Sequence, residues 1–284
     1  MTHIAFIGTG RIGGGLAEAA LKRGEQVQVW NRTASKAQAL VKLGAVVAER
    51  PGDAARGAKR VHITMTSDAA VDSVLDALRP DLSHHAVVVD HSTNAPAATA
   101  QRAERCEKDG IYYLHAPVFM SPNACRQAQG VMVVAGPRAA FEHVEEALET
   151  MTGTVWYLGE ETSQATTMKL AGNAMIVSLV AGLSDAFAVA SEGGIEPEQL
   201  LELFEHFDLR AVLRMRGGSM AKGDYTTHWA AKMARKDVGL MIDAASSSPL
   251  AILPAIAERL DALIERGDGD RDMGALSMDV VKPR

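Results

Sequence analysis

His3-Ile4-Ala5-Phe6-Ile7-Gly8-Thr9-Gly10-Arg11-Ile12-Gly13 runs from an apolar stretch through a glycine turn into a helical pattern, and its reading decides the fold. His3 to Ile7 suits a buried parallel strand. Leu16, Ala17, Ala20 and Leu21 then recur at helical spacing until Gly24, and Val27-Gln28-Val29-Trp30 resumes as a second strand. A G-x-G-x-x-G spacing alone says little in a chain with 25 glycines among 284 residues. Inside a strand-turn-helix-strand unit it marks a dinucleotide site. Gly8 permits the tight turn, Gly10 lets the backbone approach the pyrophosphate, and Gly13 allows close packing of helix on strand. The N–H groups where the helix begins, at Arg11 and Ile12, face the negative charge.

The end of the second strand separates NAD from NADP sites. An acidic residue there would bond the ribose 2′-OH and repel a 2′-phosphate, whereas an arginine attracts the phosphate. This chain has Asn31-Arg32-Thr33, three potential donors without negative charge. The position favours a phosphate contact for Arg32 over a solvated loop cation, so the expected cofactor is NADP(H).

Further apolar runs at 61–64, 87–90 and 111–114 alternate with helical patterns, as in a doubly wound α/β domain. Runs at 131–134 and 155–158 are expected to complete that sheet. Beyond about residue 160 only helical patterns follow: 164–192, 197–207, 209–222, 229–247 and 254–266. The expected architecture is an N-terminal Rossmann-type doubly wound α/β domain over 1–161 and an all-α domain over 162–284. A net charge of −6 with interspersed signs offers no basic stripe, so nucleic acid is not an expected partner. Cys106 and Cys125 make neither a disulfide framework nor a metal cluster, and read as ordinary packed residues. The N-terminal apolar stretch is too short for a signal-peptide core, which makes a cytoplasmic location the default.

The pattern at 164–192 holds an anomaly. Lys169 is the only charged residue between Glu161 and Asp185, set among Met168, Leu170, Ala171, Met175, Ile176 and Val177. The stretch Leu170 to Ser184 is short against the ~20 residues a bilayer needs, which argues against a membrane span and for burial between domains or subunits, as in a homodimer or homotetramer. A buried ammonium is costly unless paired or functional, and burial lowers its pKa toward a range useful for proton transfer. Asn173, four residues on, projects from the same face. The residues alone leave a second reading, a lysine whose stem snorkels to solvent.

Four motifs together give the chain a resemblance over nearly its whole length: Gly8-Thr9-Gly10-Arg11-Ile12-Gly13, Asp90-His91-Ser92-Thr93-Asn94-Ala95-Pro96, Lys169-Leu170-Ala171-Gly172-Asn173 and Lys236-Asp237-Val238-Gly239-Leu240. It resembles the β-hydroxyacid dehydrogenases, which include 3-hydroxyisobutyrate dehydrogenase and the glyoxylate/succinic semialdehyde reductases. The resemblance implies that Lys169 is the general acid in carbonyl reduction and stabilises the developing alkoxide. It implies that Asn173 orients the substrate and that Ser92 binds a substrate carboxylate. Thr93 and Met65 would lie against the cofactor, and Lys236 would close over it while Asp237 holds local structure. Taken alone, Ser92 also reads as a helix-start residue ahead of Pro96.

One family motif is altered. Where the family has Asp-Ala-Pro-Val-Ser-Gly-Gly, this chain reads His115-Ala116-Pro117-Val118-Phe119-Met120-Ser121. Phe119 and Met120 replace small residues, which implies a narrower or more apolar pocket and a differently bound substrate anion; Ser121 can still donate a hydrogen bond. His115 reads as a structural residue at a strand end. The expected function is an NADP(H)-dependent oxidoreductase interconverting a small 3-hydroxyacid and its semialdehyde or keto acid, with no metal required. The alternatives are an imine reductase, against which Lys169 argues, and a non-catalytic NADP(H)-binding sensor or scaffold.

Overall fold

Strand β1 (His3–Ile7) lies inside a six-stranded sheet in the computed structural model, which describes residues 3–84 and 86–281. After the glycine turn come α1 (Arg11–Lys22), β2 (Val27–Trp30), α2 (Ala34–Gln38), β3 (Val46–Val47), α3 (Pro51–Ala55) and β4 (Ala58–Ile63). Then follow α4 (Asp68–Leu78), β5 (Val87–Asp90), α5 (Pro96–Lys108) and β6 (Tyr112–His115). All six strands are parallel, in the order β3-β2-β1-β4-β5-β6. The order reverses between β1 and β4, and such sheets take their ligands in the crevice beyond the carboxyl ends at that point.

Helices cover both faces, which is why these strands read as continuous apolar runs. Along β5, Val87 and Val89 join Phe6, Val29 and Leu114 in one core, while Val88 joins Ala5, Ile7, Val61 and Ile63 in the other. Both cysteines are buried and free, and burial pushes their thiols up to about 11, as unreactive packing residues require.

The remaining strands correct the sequence reading. β7 (Val118–Phe119), α6 (Pro122–Arg126), β8 (Val131–Val134), α7 (Arg138–Glu149) and β9 (Thr154–Tyr157) follow, and β7-β8-β9 form a separate three-stranded sheet. β7 runs antiparallel to β8, and β9 parallel to it. The reason lies just past β6. His115 exchanges both backbone hydrogen bonds with Ala135, and Pro117 has no N–H with which to extend the first ladder. The chain therefore turns onto β8 instead of adding it to the large sheet.

Helix α8 (Ser163–Glu192) carries the chain from one compact unit, ending at Asn173, into a second beginning at Ala174. Gly194, at φ +76°, ends the turn after α8. The second unit continues with α9 (Pro197–His206), α10 (Leu209–Ala221), α11 (Ala231–Ala244) and α12 (Leu253–Glu265). Among the described residues no strand follows β9, as the helical patterns predict. Ala234, Val238, Ala257, Leu260 and Leu263 form the small core of this unit. Asp185 of α8 is buried and accepts from the N–H groups of Ala251, Ile252 and Leu253, which caps the start of α12.

One expectation about α8 needs correcting. Its 30 residues are long and apolar enough to cross a bilayer, so length does not exclude a span. Within one chain the helix is largely uncovered, so the expected burial falls to another subunit if it occurs. Val177 is 67% exposed, and Met175, Ile176, Leu179 and Val180 are each more than half exposed.

Candidate active site

The glycine turn has the geometry its sequence requires. Gly8 sits at φ +96°, and a Cβ there would lie 2.1 Å from the Thr64 carbonyl oxygen at the end of β4. A Cβ at Gly13 would lie 2.0 Å from the Gly8 oxygen, so α1 packs onto the turn with no room for a methyl group. Gly10 differs: nothing stands within 4 Å of its Cβ direction. It caps α1 without a side-chain hydrogen bond, and no acidic residue occupies the first turn. The result is an open cradle of N–H groups suited to a pyrophosphate. Gly15, which the sequence reading passed over, lets α1 approach α6, since its Cβ would lie 2.9 Å from Cys125 Cβ.

These spaces predict different phenotypes. Gly13→Ala should lower stability by about 1–3 kcal/mol through overpacking and weaken cofactor binding with it. Gly10→Ala should cost less stability, about 0.5–1 kcal/mol for the poorer helix cap, while weakening cofactor binding roughly tenfold or more, because its methyl meets no protein atom and projects into open space. Parallel melting curves and cofactor titrations check both; equal destabilisation by the two variants would contradict the assignment.

Asn31 also has a role within the fold. Its Oδ1 accepts from Thr9 N at 2.9 Å and its Nδ2 donates to Thr33 O at 2.9 Å. The side chain thus clamps the glycine turn to the end of β2. Arg32 and Thr33 remain exposed, and no side-chain bond from Thr33 caps α2.

The structure places Met65 and Ser92 beside this turn. Met65 Cε lies 3.3 Å from the position a Cβ on Gly8 would take, and Met65 N donates to Ser92 Oγ at 2.9 Å. Ser92 is therefore not a helix cap; α5 starts at Pro96 with Ala95 in the cap position. Beneath Ser92, the fully buried Asp90 accepts from Ser92 N at 2.9 Å, Asn94 Nδ2 at 3.1 Å and Tyr113 OH at 2.6 Å. Burial raises its carboxyl pKa, but His115 at 3.8 Å and the bonds from Ser92 and Tyr113 outweigh that and hold it below the usual carboxylate range. His115 is buried, in keeping with a structural role. The turn at Ser92 and Thr93 is thus held rigid from below, with Thr93 exposed above it.

Thr166, which sequence reasoning missed, ties α8 to the same turn by donating to Asn94 O at 2.7 Å. One turn further along α8, the Lys169 ammonium lies 4.0 Å from the centroid of the Phe119 ring. Lys169 is half-buried, and burial lowers its pKa from the ordinary lysine value. Asn173 follows at helical spacing, also half-buried. Met120 packs toward the sheet core beside Gly130, while the exposed Ser121 caps α6 by accepting from Ala124 N at 3.1 Å. Lys236 belongs to the second unit, exposed on α11 and 2.9 Å from Asp237 Oδ1.

A parallel sheet reversing at a glycine cradle, followed by a lysine-bearing helix that leads on into a helical unit, defines a dinucleotide-dependent oxidoreductase. Residues 3–159 match the NAD binding domain of 6-phosphogluconate dehydrogenase, and residues 163–278 match the NAD-binding domain of NADP-dependent 3-hydroxyisobutyrate dehydrogenase. The chain belongs to the β-hydroxyacid dehydrogenase family and binds a nicotinamide dinucleotide. It is 29% identical over 279 residues to the uncharacterized oxidoreductase YfjR of Bacillus subtilis (strain 168), covering 96% of this chain and 98% of that one. It is 28% identical over 284 residues to the chloroplastic glyoxylate/succinic semialdehyde reductase 2 of Arabidopsis thaliana, covering 96% and 78%. An imine reductase from Pseudomonas sp. shares the fold, with a TM-score of 0.90 at 23% identity over 98% of both chains.

Proposed function

We propose that this protein is an NADP(H)-dependent reductase of small aldehydes and keto acids, working in reverse as a 3-hydroxyacid dehydrogenase. The observation that carries the reading is Lys169: a half-buried ammonium, without an anionic partner among the described residues, on a helix anchored through Thr166 to the Ser92-Thr93 turn. A nicotinamide dinucleotide held at the glycine turn would supply the hydride for the carbonyl carbon. Lys169 Nζ delivers a proton to the carbonyl oxygen and, in the reverse direction, takes it back. Ser92 Oγ accepts from Met65 N and keeps its own proton to donate to the substrate, while Asn173 orients the carbonyl from the Lys169 face of α8. Phe119 makes the wall beside the acid apolar.

Arg32 supports the 2′-phosphate assignment, being exposed beside the glycine turn with no acidic residue at the strand end. Arg32→Ala should weaken NADPH about tenfold or more, the order of one lost charge-assisted bond, and leave NADH nearly unchanged. Equal losses for the two cofactors would overturn the assignment. NADPH oxidation measured with glyoxylate, succinic semialdehyde, a neutral aldehyde and a cyclic imine tests the reaction itself. Turnover confined to the imine would select the second reading, which the shared fold with an imine reductase supports. We further infer a homo-oligomer without membrane insertion, in which the exposed apolar residues of α8 from Met175 to Val180 meet another copy.

A further inference from the structure

Lys169 and Phe119 are 50 residues apart in sequence, yet the ammonium sits over the ring face at 4.0 Å from its centroid. Gly172, one turn along α8, makes that approach possible: a Cβ there would lie 2.5 Å from Phe119 Cζ. The ring packs against the small apolar cluster of Val133, Ala135 and Ala165, which Val131, Leu158 and Met168 also cover. Among the described residues the ammonium has the Phe119 ring and no anionic partner, and burial lowers its proton affinity. An ammonium withdrawn from water normally needs an anion, and here an aromatic face stands in its place.

We propose that Phe119 is the positioning residue for Lys169, its ring face holding the ammonium in place of a carboxylate, with Gly172 supplying the clearance that lets the ring reach it. This rests on the reading of Lys169 as the acid for its catalytic meaning, but the contact itself is testable without turnover. A carboxylate in that place would hold the proton strongly and draw the ammonium away from a substrate oxygen. A ring face holds the charge weakly and leaves the N–H groups free to donate. In this way a residue that departs from the family's small side chains keeps the acid both oriented and releasable.

The ring acts on the ammonium in two opposing ways, and two substitutions separate them. Phe119→Leu keeps the apolar volume and removes the π face, so the Lys169 midpoint should fall by about 0.5–1.5 pH units, the equivalent of a partly desolvated cation–π contact. Phe119→Ser admits water and should raise the midpoint toward the ordinary lysine value. Phe119→Tyr keeps the face and should restore the wild-type midpoint. Isotope-labelled lysine followed by NMR against pH reads these values directly, with the Lys169 resonance assigned from its disappearance in Lys169→Met. Shifts of one sign in the leucine and serine variants, or none in the leucine variant, would overturn the proposal. Gly172→Ala provides a second route if the Phe119 variants misfold, because alanine favours the helix while its methyl displaces the ring. Its midpoint should fall as in Phe119→Leu, and an unchanged midpoint would overturn the proposal as well. If these shifts appear in a protein that reduces none of the carbonyl compounds, the reading of the reaction fails and the Phe119 contact stands.

Discussion

Lys169→Met is expected to lower kcat for carbonyl reduction by about 10²–10⁴, the range a positioned general acid contributes, while NADPH affinity and thermal stability are maintained. Methionine matches the length of the lysine stem and fills the same half-buried place beside Phe119. It removes an ammonium that has no anionic partner among the described residues, so the substitution relieves a desolvation cost and exposes no unpaired charge. A fall in melting temperature parallel to the fall in rate would show that the lysine is structural, and full turnover would remove it from the chemistry. The pH dependence carries a sign. Reduction needs the protonated amine, so its kcat/KM should decline as pH rises through the Lys169 pKa, whereas oxidation needs the free amine and should increase. Burial lowers that pKa, so both changes should set in below the ordinary lysine value of about 10.4.

Acid should unfold this protein early, through His62 and His91. Both are buried in a chain whose hydrogen-bond direction is fixed at one end. Arg60 Nε can only donate, and it meets His62 Nε2 at 3.0 Å. His62 must therefore carry its proton on Nδ1, which donates to His91 Nε2 at 3.0 Å, and His91 Nδ1 then donates to Ala116 O at 2.7 Å. Every ring nitrogen is satisfied with both rings neutral. Burial first, then the repulsion His91 would exert once protonated and the Arg60 charge, hold the His62 pKa well below the usual imidazole value. Burial also lowers His91 to about 4, despite the opposing pull of the Ala116 carbonyl and Asp90.

The unfolded rings titrate near pH 6.5, so below that pH the unfolded chain binds protons that the folded chain refuses. The stabilising effect of the neutral pair is complete above about pH 6.5 and is lost as pH falls toward the folded pKa values. Each ring should contribute a slope of about 1.4 kcal/mol per pH unit, and His91 alone about 3 kcal/mol by pH 4. Urea unfolding at a series of pH values should show an uptake of nearly two protons between pH 5 and 6, before carboxylates dominate. His91→Leu should remove one of them. A flat stability profile across that interval would show that the two rings are protonated in the folded state.

How much of this was legible in the sequence follows from distance along the chain. The glycine turn is legible because the positive φ of Gly8 and the approach of Gly13 to the Gly8 oxygen are local, whereas the crowding of Gly8 by the Thr64 carbonyl comes from 56 residues away. The helices of the second unit were visible from their periodicity for the same reason. The second sheet was not legible, because the apolar run 131–134 carries no information about which strand it meets. The His115–Ala135 exchange and Pro117 decide that. That Asn31 can donate to a phosphate is written in its chemistry, but that its oxygen also accepts from Thr9 N, 22 residues away, is not. Along α8 the sequence showed apolarity without saying what covers it.

The doubly wound domain, the cofactor turn, the helical second unit and one lysine in an apolar helix are all readable from the chain before it folds. Local dihedral preferences and side-chain periodicity are written within a few residues of each of these. Only the tertiary structure decided that Lys169 rests on Phe119, that Thr166 fixes α8 to the Ser92 turn, and that His62 and His91 form a neutral chain beneath it. Those contacts join residues 29 to 72 positions apart, and no local pattern specifies them. They exist because close packing brings Thr166 and His62 each within about 3 Å of one polar partner and lays the Lys169 ammonium over a ring face 4.0 Å away.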